Sequence, residues 1–284
     1  MTRREFLPLL ACAVRLGAQT LPANSAGVAN GSPLRAGFRL LYHLRFPEAR
    51  SNFQTWQHDH LADPMGFTAE AASHLFEEFE HHGVLTSEFF LDDERFLGGI
   101  TGIPNAARTQ AFEAATKKAQ DLAEQMLRRD RTDANALLAL TMCAGMRSDY
   151  ASLISKHQIE GLSQLRQAES FGKRLLTAAP GTGDGYMALG AASYVIACLP
   201  FYKRAVLFVG GMQGNKQRGL EQLELAARTG IYLAPFAKML LALALLRESN
   251  KDRARKLLAE LTEEFPSSPL FARERGKLEQ RAAR

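Results

Sequence analysis

Residues 168–190 read AESFGKRLLTAAPGTGDGYMALG. Counting from Ala168, Gly172 stands four residues on, Leu175 seven and Pro180 twelve. The first three share one face of an α-helix, and a proline ends such a helix because its ring clashes with the preceding turn. Gly181-Thr182-Gly183-Asp184-Gly185 is a turn, after which Tyr186, Leu189 and Gly190 begin a second helix. Small residues at 172 and 190 let helices approach closely, and large neighbours fill the space between them. The stretch is therefore a junction between two helical hairpins.

The same offsets return in Ala254, Leu258, Leu261 and Pro266, with Leu241 and Ala242 ahead of them. Weaker copies hold Ala49, Phe53 and Trp56, and Ala119, Ala123 and Met126. Together these residues resemble the tetratricopeptide repeat (TPR), a helical hairpin of about 34 residues. Tyr186, Leu189 and Gly190 stand at that family's Trp, Leu and Gly positions, and Leu241 and Ala242 at its Leu and Gly positions. The resemblance implies an all-α chain of antiparallel hairpins stacked as a superhelix, and a binding scaffold without catalysis. Gly214-Asn215-Lys216, Gly219-Leu220, Leu223, Ala226 and Phe265-Pro266 add a fainter likeness to the inclusion-body-clearance type of tetratricopeptide protein. Two parts fit no repeat: a surplus helix between Leu199 and Thr229, and the stretch from Leu85 to Ile103.

Helical periodicity predicts helices over 34–45, 47–61, 66–82, 87–97, 104–129, 134–146, 149–178, 184–198, 200–211, 214–229, 233–249, 251–265 and 267–281. No alternating strand pattern competes with them. Asp133, Asp149, Asp184 and Ser267 occupy expected N-cap positions, where a side-chain oxygen accepts from a free amide of the first turn.

The chain opens Met-Thr-Arg-Arg-Glu-Phe-Leu, which resembles a twin-arginine export signal with Pro8 in place of the usual Lys. An apolar run from Phe6 to Ala18, broken by Arg15, precedes small and turn-forming residues up to Ser32. The expected organisation is a signal and flexible segment over 1–30 and one repeat domain over 31–284, with an exported, periplasmic or envelope-associated product. Leu9-Leu10-Ala11-Cys12 also looks like a lipobox that would tether the protein through Cys12; cleavage near Ala18 is favoured over lipidation because the apolar run before Cys12 is short. A transmembrane helix is not expected, since no uninterrupted run of about eighteen apolar residues occurs.

Of the net charge of +5, Arg3, Arg4 and Arg15 against Glu5 supply +2. The remainder is too weak and too dispersed for the basic footprint that nucleic acid requires, so nucleic acid is excluded as an expected partner. Hydrophobic residues make up 46% of the chain and charged residues 23%, a balance that supports a folded core. Cys143 and Cys198 lie in apolar helical stretches without metal-ligand spacing and read as buried thiols, a disulfide between them being left open.

Six of the seven histidines fall between His43 and His82. His74, Glu78 and His81 or His82 share a helix face, with His58 and His60 nearby, and this cluster supports an alternative reading as an exported metal-binding or enzymatic helical protein. The favoured reading is the solvated end of an amphipathic helix, with no HExxH motif, no metal and no cofactor. Val209-Gly210-Gly211-Met212-Gln213-Gly214-Asn215-Lys216 lacks the Gly-Lys-Ser/Thr of a phosphate loop and reads as a turn. No nucleophile or carboxylate pair appears in a recognisable catalytic setting. Phe76, Phe79, Phe89, Phe90 and Phe96 fall at core-like spacings.

The resemblance also implies where a ligand sits, since TPR arrays bind along the first helix of each unit. Counting from unit starts at Ala134, Gly183 and Pro235, that surface comprises Leu138, Met142 and Met146, then Met187, Ala191, Tyr194 and Val195, then Phe236, Met239, Leu243, Leu246 and Arg247. Flexible, polarizable methionines suit a surface that moulds itself to varied apolar ligands. The expected partner is an unknown protein or peptide. A groove filled by the chain's own Pro200–Gly211 segment is favoured over an open one, because an open apolar trough invites aggregation.

Overall fold

The computed structural model describes residues 32–201, 204 and 213–282. Its regular structure comprises thirteen α-helices and one π-helical turn, with no strand among the described residues. In chain order the helices are α1 (Pro33–Tyr42), α2 (Phe46–Asp59), α3 (Pro64–His81), α4 (Ser87–Leu91), α5 (Asp93–Gly98), α6 (Ala106–Arg129) and α7 (Ala134–Asp149). The π turn (Tyr150–Ile154) follows, and then α8 (Gln158–Ala178), α9 (Gly185–Cys198), α10 (Lys216–Thr229), α11 (Ala234–Arg247), α12 (Lys251–Glu264) and α13 (Pro269–Ala282). The helix starts are chemically marked: Ser32, Asp63, Asn105, Asp133, Asn215 and Asn250 each accept a first-turn amide.

Helices pack in hairpins, α1 on α2, α3 on α6, α7 on α8, α9 on α10 and α11 on α12. Within each hairpin the two helices differ in kind. The first helices α7, α9 and α11 are apolar nearly all round, whereas α8, α10 and α12 carry one apolar face and one wet one. An all-apolar helix must be covered on every side, and α3, α7 and α9 accordingly touch in succession behind their partners. The offsets read from the sequence are the contact points: Ala49, Ala119, Ala168 and Ala254 are fully buried, as are Phe53, Ala123 and Leu223 further along the second helices. At Gly190 a Cβ would lie 2.8 Å from the Leu223 amide nitrogen and 3.0 Å from the Gly219 carbonyl. Gly37 packs against the Phe53 ring, and Gly172 against Leu189 and Thr141, by the same small-on-large rule.

The stretch that fits no repeat is an insertion within a hairpin. Helices α4 and α5 interrupt α3 and α6, with α4 packed on α11 and α5 on the π turn. Their lodging needs a glycine: Gly99 has φ +73° and lies against the Leu153 carbonyl where a Cβ would collide. Ile100 then donates its amide to that same carbonyl at 2.8 Å.

The array also closes on itself. The Tyr42 hydroxyl donates to the Tyr232 carbonyl at 2.8 Å, and the Ser268 hydroxyl donates to the Tyr42 carbonyl at 2.6 Å. Tyr42 meets Phe265 and Phe271 at ring-centroid distances of 5.6 and 6.5 Å, and Phe38 meets Tyr232 at 4.9 Å. Arg273 grips Glu80 with two hydrogen bonds, Lys277 reaches Glu88, and the buried Glu274 carboxylate accepts from the Ser87 amide. The first hairpin and the insertion are thereby held to the last helix.

Several local expectations are corrected. The helix expected over 149–178 is three pieces: the end of α7, the π turn and α8, with Lys156 at φ 60° in the break. Asp149 is the last residue of α7 and caps nothing. The helix expected over 87–97 breaks at Asp92, whose carboxylate accepts the amides of Glu94 and Arg95. Ser268, one residue beyond the expected Ser267, receives the Phe271 amide. Asp184 precedes α9 without capping it; its carboxylate instead accepts from the amides of Ile231, Tyr232 and Leu233 at 2.8, 3.0 and 2.7 Å. Cys143 is a buried free thiol as expected, whereas Cys198, also free, is only half-buried. The N-terminal segment 1–30, with Cys12, and most of Pro200–Gly211 lie outside the described residues.

Candidate functional site

A cavity of about 380 Å³ lies where the first helices face the insertion. Met187, Ala191 and Val195 of α9 and Phe236 and Leu240 of α11 form one side. Phe79, Phe90 and Phe96 face them from α3 and the insertion, and Ile159, Leu162 and Leu165 of α8 complete the apolar wall. Phe76, Phe79 and Phe89 are core residues as expected, while Phe90 and Phe96 stay half-buried.

The π turn supplies the polar side. It is anchored from α6, where Phe112 stacks on Tyr150 at 4.9 Å and Thr109 hydrogen-bonds the Tyr150 hydroxyl at 2.6 Å. An inserted π turn carries one extra residue and changes the facing of a helix end; here Ser148, Asp149, Ser152 and Leu153 reach the cavity wall. The Ser148 hydroxyl is occupied, donating to the Gly161 carbonyl at 2.9 Å, and the Gln158 amide donates to the Ser152 carbonyl at 3.0 Å. Asp149 has no hydrogen bond or ion pair among the described residues. Asp149 is half-buried, and its apolar surroundings push its carboxyl up to about 7, because a carboxylate there loses hydration.

The residues read from sequence as the ligand surface divide between core and cavity. Leu138, Met142, Met146, Met239 and Leu243 are buried in the core, and Met187 and Phe236 stand on the cavity wall. The Tyr194 hydroxyl lies 3.1 Å from both the Ala244 carbonyl and the Glu248 carboxylate. Arg247 is turned to the insertion, where it donates to the Phe90 carbonyl, pairs with Asp93 and lies 5.3 Å from the Phe96 ring. Within the described residues it is α4 and α5 that cover this face.

The histidines make structural contacts, and only the His81 and His82 rings meet each other among those described, edge to face at 4.9 Å. His43 hydrogen-bonds Ser267 at 3.2 Å, His58 pairs with Asp59, and His60 stacks on Trp56 at 3.7 Å. His82 contacts the buried Glu78, which also accepts from Arg108 and the Asn105 amide. Burial tends to raise the Glu78 carboxyl, but these donors outweigh it and hold it below its ordinary value. His74 is pushed down to about 4, chiefly by burial and then by Arg50. Among the described residues no three His, Cys, Asp or Glu side chains converge to hold a metal.

On these contacts, the fold is a TPR-like α-solenoid. No family model matches the chain, and no curated protein does. Among solved structures, a thermophilic TPR protein of Thermus thermophilus is similar over 87% of this chain and 96% of that one, at 15% identity and a TM-score of 0.46. A superposition at that level leaves ligand and surface to this chain's own residues. Asp149 reads from sequence as an N-cap and not as a site residue. The sequence places a helix boundary between Met146 and Asp149, and helical periodicity then runs on through Ile154, so nothing in it marks the π turn.

Proposed function

We propose that the chain is a non-catalytic helical-repeat scaffold of the cell envelope that binds an apolar segment of a protein or peptide. Helical-repeat arrays commonly serve as interaction scaffolds, binding along extended inner surfaces. The observation that carries the reading is the apolar cavity and the exposed apolar residue on its wall: Ile159 at the start of α8 is 87% exposed. Large apolar side chains left in water beside a cavity mark interaction sites. No helix among the described residues is long and apolar enough to cross a membrane, so envelope placement rests on the twin-arginine-like Thr2-Arg3-Arg4.

The test is site-specific photo-crosslinking in cells. A crosslinker at Ile159 should trap a discrete partner, and one at the exposed Lys117 of α6 should not. Equal trapping at both positions, or trapping from Lys117 alone, contradicts the reading. Placement is tested separately: Arg3→Lys with Arg4→Lys should retain the precursor in the cytoplasm, and undisturbed export would remove the twin-arginine assignment.

A further inference from the structure

We propose that the cavity is a binding site for a small apolar molecule carrying a basic amine, whose ammonium group pairs with the Asp149 carboxylate. The volume of about 380 Å³ falls in the range of small-molecule sites, about 300–1,000 Å³. Such sites combine an apolar wall with a few convergent polar groups, and here the convergent group is Asp149. Its carboxylate is half-buried on an apolar wall and has no partner among the described residues, and a charge so placed gains most from a charged donor.

The other polar groups on the wall decide the sign of the ligand. Ser148 already donates to the Gly161 carbonyl and Gln158 to the Ser152 carbonyl. Among the described residues no lysine, arginine or histidine is on the wall, so an anionic molecule would meet no counter-charge from them and would face Asp149. A cation meets a carboxylate in a low-dielectric setting, where the attraction is far stronger than in water.

Ionisable groups on the surrounding elements are directed elsewhere. Arg147 of α7 donates to Thr116, and Tyr150 of the π turn hydrogen-bonds Thr109. His157 and Glu160 of α8 face each other at 3.5 Å, both largely exposed. Asp93 of α5 and Arg247 of α11 pair with each other. Asp149 therefore titrates under burial alone, and its proton competes with the amine: binding should weaken as pH falls below about 7.

Octylamine, octanol and octanoate, titrated into the full chain by calorimetry at pH 8, test the site. Octylamine should bind roughly tenfold or more tightly than octanol, and octanoate should bind weakest. Asp149→Asn should erase the preference for octylamine while leaving octanol unchanged. Ala191→Phe, which fills the cavity, should abolish binding of all three. Equal affinity for the amine and the alcohol overturns the ion pair. Octylamine binding that survives Ala191→Phe, or no binding of any probe, overturns the site. Crosslinking from Ile159 is a separate readout, so the scaffold reading and this one can fail independently.

Discussion

Asp184 and Asp149 belong to neighbouring hairpins of one stack, and burial raises the carboxyl of each. Three backbone amides surround Asp184 and fix the loop that leads into α11. Asp149 meets none among the described residues. Asp184 sits at a seam, where Tyr232 carries the closure on to Tyr42, Phe265 and Phe271. Asp149 sits where the insertion and the first helices fail to meet. The same side chain in the same fold is thus a structural tie in one place and a cavity-wall carboxyl in the other. What separates them is the supply of donors.

The largest effect should come from removing the tie. Asp184→Ala leaves three amides without an acceptor and should lower unfolding free energy by about 3–5 kcal/mol, measured by urea denaturation; a loss below about 1 kcal/mol would deny the seam its role. Next is the repeat contact itself. Gly190→Leu drives a side chain into the Leu223 and Gly219 backbone and should cost about 3 kcal/mol, whereas an unchanged midpoint would place the hairpin register elsewhere.

Asp149→Asn should act in the opposite direction. In the unfolded chain the Asp149 proton leaves near the ordinary value of 3.8, and in the folded chain near 7. The unfolded state therefore binds fewer protons across that window, and the wild type loses stability as pH rises through it. The neutral asparagine escapes this loss. The variant should match wild type near pH 4 and exceed it by about 2 kcal/mol at pH 8, less than the full linkage value because water entering the cavity softens the burial. Equal stability at both pH values would mean that Asp149 is solvated or partnered. Tyr42→Phe should be the smallest change, about 1 kcal/mol for one buried hydrogen bond at the seam, read as a shift in thermal midpoint.

Much of this contrast was legible in sequence at the level of hairpins. Ala168, Gly172 and Leu175, and their counterparts around Ala254 and Ala119, announce helix contacts because close packing admits few residue types at each offset. Closure was not legible, since it pairs Tyr42 with Tyr232 and Phe265 across most of the chain and no local pattern encodes so distant a contact. The cavity escaped for a related reason. Its far wall is the insertion, recognised only as a stretch without a repeat, and its polar point depends on a π turn hidden in helical periodicity that runs on past Asp149. Asp149 and Asp184 both read as helix caps from their spacing; which one finds amides is settled by tertiary placement.

The titration of Asp149 tests the contrast most directly. With aspartate carboxyl carbons labelled with ¹³C and the Asp149 signal assigned by its loss in Asp149→Asn, the midpoint should lie near 7 in the unliganded protein and lower with octylamine bound. A midpoint near the ordinary 3.8 would show that Asp149 is solvated or partnered, and would contradict a carboxyl held in the apolar cavity wall.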